Sequence, residues 1–306
     1  MTATVAPPVS PTIDPAPIER TFPPPWLRKV GTISLNVYAG LGLLYLFIPI
    51  FVIVIFSFNQ PKGRFNIVWQ EFTLANWKDP FAIPELVDAF KLSLEIAAIS
   101  TGVALVFGGL IALALTRYRF RGNAFVNLFL VLPLTTPEIV LGASLASLFI
   151  AQGTDRGFLT ILIAHVMFCV SFVALTVKAR LRGFDWSLED AAMDLGAGPM
   201  RTFTKVTFPL MIPGLLAAAM LSFALSLDDF IITLFNAGTE VTFPLYIFGV
   251  RQRAIPPQIN VLATTVLVVS VALLIIGTVA GRMRERSRTS PHQSVLIADA
   301  RRARRP

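Results

Sequence analysis

The stretch Ser187–Pro209, SLEDAAMDLGAGPMRTFTKVTFP, decides how this chain is read. It is the polar interval between two long apolar runs. Ser187, with Asp190 three residues on, fits a capping box that opens a helix. Leu188, Ala191, Ala192 and Leu195 then recur at helical spacing. Gly196 is a helix stop, and Pro199 suits the first position of a second short helix, running to about Val206. Pro209 opens the next apolar run. The expectation is two short helices joined at a glycine elbow, with Ala191 and Ala192 small enough to let another surface approach. The same element also suits an amphipathic connector resting on a membrane.

Working outward, the flanking runs set the fold class. The chain has 306 residues, 55% of them hydrophobic and 14% charged, with a mean hydropathy of +0.70. A soluble domain carries about a quarter charged residues, so soluble classes are excluded. Six runs reach the roughly 20 residues that a bilayer-spanning helix needs: about 33–58, 91–115, 125–150, 158–177, 210–235 and 260–281. They are continuously apolar rather than alternating, which predicts helices and not a barrel. The expected fold is an all-α integral membrane protein with six transmembrane helices and a cytoplasmic loop over 183–209.

Residues 1–28, rich in Pro, Thr and Ala, read as a disordered leader. Residues 29–285 form the membrane domain, and 286–306 an Arg-rich tail. The first apolar run lies too far in and is too long for a cleaved signal. With the N-terminus cytoplasmic, 19 of the 26 Lys and Arg fall inside, so the positive-inside rule places both termini in the cytoplasm. The basic excess follows from that bias, with membrane lipid and not nucleic acid as its partner. The single cysteine, Cys169, lies in an apolar run and reads as a packed hydrophobe. It allows no disulfide and no cysteine metal site within the chain.

Three acids fall within apolar runs: Glu138 in the third, Asp228 and Asp229 in the fifth. An acid at bilayer depth costs about 2.5–3.5 kcal/mol, and no Lys or Arg lies in the central part of any run. A water-lined cation path through these carboxylates explains them, and spaced carboxylates suit a polyamine. Capping of a helix break by Asp228 or Asp229, or bonding of Glu138 to backbone freed beside Pro137, explains them equally. Ser144 and His165 raise a membrane hydrolase dyad, but Leu145 and not glycine follows Ser144, no orienting acid is evident, and Gly142 and Ser144 suit close helix packing. An ion-coupled secondary transporter is a further alternative. The outer loop over about 59–90, with Trp69, Phe72 and Trp77, suits protein docking or an interfacial aromatic belt.

Asp190-Ala191-Ala192, three residues, Gly196, nine residues, then Val206-x-Phe208-Pro209 resembles the Glu-Ala-Ala loop of ABC importer permeases of the type I (MetI-like) family. Asp190, Val206 and Phe208 depart conservatively from that signature, and Glu189 sits one place early. Further blocks bring the resemblance closest to the spermidine/putrescine group: Phe56-Ser57-Phe58-Asn59, Arg117 to Gly122, Pro137 to Gly142, and Ser226-Leu227-Asp228-Asp229-Phe230. The resemblance implies a non-enzymatic permease subunit in a bacterial inner membrane. It binds no cofactor or metal itself, and ATP and Mg belong to a separate ATP-binding subunit dimer. In such a permease Glu189, Asp190, Ala191, Ala192, Leu195, Gly196 and Pro209 belong to the coupling element that docks on that ATPase. The implied partners also include a PotB-like second permease subunit and a PotD-like extracytoplasmic binding protein. The solute is a polyamine or another compound, such as an amino-acid derivative or a phosphonate.

Overall fold

The computed structural model of the chain describes residues 25–251 and 253–289. Apart from two isolated backbone bridges, the elements among these residues are helical. Two compact units divide at Ile53 and Val54. The first contains most of α1 (Pro25–Phe56), a 32-residue helix with Pro49 inside it. It begins before the expected end of the leader, because Pro25 has a fixed φ suited to a first turn.

The second unit holds α2 (Ala75–Lys78), α3 (Pro84–Arg117), α4 (Asn123–Thr135), α5 (Glu138–Ala151) and α6 (Phe158–Leu181). It continues with α7 (Ser187–Asp194), α8 (Pro199–Thr202), a π turn (Phe203–Thr207), α9 (Phe208–Asp228), α10 (Ile231–Asn236), α11 (Phe243–Val250) and α12 (Pro257–Thr289). Five described helices are long and apolar enough to cross a bilayer, or six if the α4–α5 pair is one span. Residues 1–24 of the expected leader and 290–306 of the expected tail lie outside the described residues, while α12 passes the expected boundary at 286.

Two expected spans are broken. The run 125–150 is bent by 106° between α4 and α5. Pro137 cannot donate to a helical ladder, and it drives Thr136 into extended backbone. The run 210–235 ends as a helix at Asp228 and restarts at Ile231. Hydropathy averaged over a span does not register either break, because the short polar stretches at 135–138 and 228–229 lie between apolar segments.

At the centre, α6 packs on α3, α9, α4, α5 and α10. Its Ala164, Phe168, Val173 and Val177 meet Ala104 and Ala112 of α3, Met211 and Ala218 of α9, and Ile232 of α10. Small residues matter here because lipid supplies no hydrophobic drive between helices, so close contact must do so. A Cβ added at Gly142 of α5 would sit 3.2 Å from the Ile232 Cα. The outward faces carry exposed Val106, Phe107 and Leu110, as lipid contact demands.

Candidate functional site

Residues 187–209 fold as a helix, an elbow and a rod. Ser187 is not the cap of α7: the Asp185 carboxylate accepts the Ser187 N–H at 3.1 Å. Hydrogen bonds from the Ser187 side chain and backbone hold the Asp185 carboxyl below its ordinary value. The acceptor lies two residues earlier than expected because Trp186 already has helical dihedrals. At the other end Gly196 has φ +84°. The Gly196 N–H donates to the Met193 carbonyl and the Ala197 N–H to the Ala192 carbonyl, at 2.9 and 3.0 Å. This paired closure needs a left-handed residue at that position.

Beyond the elbow the expected separate helix does not end at Val206. Helix runs from Pro199 to Asp228 without interruption. The Phe208 N–H reaches back to the Phe203 carbonyl, which makes the π turn. Pro209 explains the extra residue, since an α register there would set its ring against a carbonyl four residues back.

The apolar residues of α7 do not pack inward. Leu188 is 46% exposed and Leu195 90% exposed, with Met200 beside the elbow also exposed. Ala191 and Asp190 are exposed as well, and Ala192 is half-buried. The residue that turns inward is Glu189, and it is buried. Its Oε2 meets the Arg117 Nε at 2.9 Å, and its Oε1 accepts the Thr207 hydroxyl at 2.5 Å. Arg117 also lies over the Trp186 ring at 5.2 Å. One carboxylate therefore fastens α7 to the end of α3 and to the π turn. Arg117 and Thr207 had no local signal, because each lies far from Glu189 in sequence.

The three membrane acids separate into different environments. Glu138 opens α5 at the bend and is exposed. Asp228 ends α9 and lines a cavity of about 510 Å³ with Phe90, Phe230, Phe243, Phe248 and Arg251. Asp229 is folded inward. Its Oδ2 accepts the Thr233 N–H and hydroxyl, both at 2.8 Å, and so caps α10. It also faces the His165 Nε2 at 3.3 Å, with side chains 6% and 3% exposed. Asp229 is thus not the unpartnered acid that a count of Lys and Arg suggests. No hydrogen bond or ion pair among the described residues joins Glu138 to either Asp.

His165 is fully engaged. Its Nδ1 meets the Ser226 hydroxyl at 2.7 Å and its Nε2 the Thr233 hydroxyl at 2.9 Å. Ser226 continues to Ser100 at 3.0 Å. This chain of contacts ties α3, α6, α9 and α10 together in the buried interior. Ser144 is exposed on α5 and is not part of it, so the Ser–His dyad is not assembled.

The loop over 59–90 is organised by Asn59. Its Nδ2 donates to the Asn66 Oδ1 at 2.7 Å and the Val68 carbonyl at 2.9 Å, and its Oδ1 accepts the Gln70 N–H at 2.8 Å. Trp77 turns inward, donating to the Ser57 hydroxyl at 3.2 Å and stacking on Phe58. Ile67, Val68, Trp69 and Phe72 stay exposed.

Comparison with known proteins matches residues 104–288 to the family described as "Binding-protein-dependent transport system inner membrane component". The chain is 37% identical over 248 residues to the spermidine/putrescine transport system permease protein PotC of Haemophilus influenzae, covering 81% of this chain and 96% of that one. It is 36% identical over 273 residues to the putrescine transport system permease protein PotI of Escherichia coli, covering 87% and 94%. Among solved structures it resembles a chain of a bacterial ABC transporter involved in alginate import, with a TM-score of 0.59, 16% identity and coverage of 83% and 96%. That last likeness bears on the fold alone.

Proposed function

The chain belongs to the binding-protein-dependent transport system inner membrane components, a multi-pass permease subunit of an ABC importer, and on that premise we propose that its solute is a polyamine. The observation that carries this reading is identity above 35% to polyamine permeases over four fifths of the chain. The cavity at Asp228 supports it, since a carboxylate among aromatic rings suits an alkylammonium.

In this reading the solute arrives on an extracytoplasmic binding protein of the PotD kind, and a PotB-like second permease completes the path. The exposed outer residues Trp69 and Phe72 offer the binding protein a surface. Both termini are cytoplasmic, as the Lys and Arg bias requires. ATP and Mg are handled by a separate ATP-binding dimer. Glu138 and Asp228 belong to the cation route, and Asp229 supports it from behind through His165.

The coupling element works through its rigidity. A groove on the ATPase receives the exposed apolar side of α7, with Leu188, Ala191 and Leu195 at the contact and Asp190 at its edge. Movement of α7 then reaches the membrane by two paths. One is the continuous helix from Pro199 through Pro209 into α9. The other is the Glu189–Arg117 contact into α3. Gly196 fixes the angle between α7 and the rod, so displacement is transmitted rather than absorbed.

The test is uptake of labelled spermidine by cells expressing this chain with its partner subunits, with putrescine, neutral sugars and anionic solutes as competitors. ATP-dependent uptake blocked only by polycations supports the assignment. Entry of another solute with spermidine ignored removes it.

A further inference from the structure

The cavity at the outer end of α9 already contains a cation. The Arg251 Cζ lies 4.5 Å from the centre of the Phe248 ring, within the range of a cation–π contact. Phe248 packs on Phe230 at 4.8 Å, and Phe90 on Phe243 at 5.4 Å, so two aromatic pairs wall the space. Asp228 lines the same cavity, yet among the described residues it makes no salt bridge with Arg251. Carboxylate and guanidinium therefore face one cavity without closing on each other. At about 510 Å³ the space is of small-ligand size.

We propose that Arg251 is a tethered cation that holds the Phe248 face of this cavity, and that a transported alkylammonium binds there by displacing it. The inference rests on the cationic-solute reading above and adds a mechanism of selection to it. A ring face that attracts a guanidinium attracts an ammonium by the same quadrupole. The two compete for Phe248, while Asp228 supplies the charge that a dication satisfies and a tethered monocation leaves open. Self-occupancy weakens binding, and a transport site must release what it takes up.

The experiment is a double-mutant cycle on the purified, assembled importer without binding protein. Spermidine and n-butylammonium are each titrated against wild type, Arg251→Gln, Phe248→Leu and the double variant. Arg251→Gln is expected to tighten binding about fivefold, the worth of one cation–π contact. In the Phe248→Leu background the same change is expected to gain under about twofold, because the ring that held the guanidinium is gone. An equal gain in both backgrounds shows that Arg251 acts only as a distant charge and overturns the proposal. So does no gain, or no binding of either amine to any form. The two readings fail separately. Spermidine uptake with no cycle removes the self-occupancy alone, whereas a cycle with n-butylammonium and no spermidine uptake removes the polyamine assignment alone.

Discussion

Glu189 on α7 and Arg117 at the end of α3 meet at 2.9 Å, and the second oxygen of the same carboxylate holds Thr207 at 2.5 Å. The acid that anchors α7 is therefore the neighbour of the one that fills the family's signature position. Asp190 stays on the surface.

Glu189→Ala is expected to loosen α7 by about 2 kcal/mol. That is below the range for a fully buried pair, because Arg117 is one third exposed and turns to water. Uptake should fall while ATP hydrolysis by the assembled complex persists. Amide exchange over residues 187–195 checks the loosening, and unchanged exchange would count against the anchor. The exchanged pair Glu189→Arg with Arg117→Glu should recover part of the uptake.

Leu195→Glu is expected to weaken ATPase association at least about thirtyfold, the effect of spoiling an interface hot spot. Because Leu195 is 90% exposed in the permease, the fold of the subunit itself should be unaffected. Co-purification of the ATP-binding subunit, read beside the thermal stability of the permease, checks both halves.

Asp228→Asn and Asp229→Asn should differ in kind. The first removes a cavity carboxylate and should lower uptake with assembly intact. The second removes the cap of α10 and the partner of His165, at a cost of about 1–2 kcal/mol. Assembly yield after solubilisation is the measurement, and equal yields for the two variants would place Asp229 in the path after all.

Asn59→Ala is expected to destabilise the loop that it organises by about 1–3 kcal/mol, since it strips partners from Asn66 and the Gln70 N–H. Protease sensitivity between residues 60 and 74 should rise, and docking of the binding protein should weaken with it.

The membrane spans were legible because lipid demands unbroken apolar runs, and a run of that kind leaves a plain trace. The elbow was legible too, since Gly196 and Pro199 each carry a local conformational rule. The partners were not. Nothing around Glu189 announces Arg117, and nothing around Asp229 announces His165, because pairing across helices has no sequence period. At α7 the helical spacing marks a face without saying what covers it, and the structure leaves Leu188 and Leu195 of that face exposed.

The π turn at Phe203–Thr207 carries a consequence for angular phase. Each residue of an α-helix advances the chain by about 100° and 1.5 Å. The five steps from Phe203 to Phe208 close one i→i+5 turn, so the bulge takes up one residue that an α register would not. Restoring an unbroken α register at the present length would swing α7 by about 100° around the axis of α9. Leu195 and Leu188 would then point along a different bearing, and Glu189 would lose Arg117 without either side chain having changed. Deleting one residue between Phe203 and Thr207 along with the bulge would bring α7 back close to its present bearing. The bulge thus sets the direction in which α7 faces.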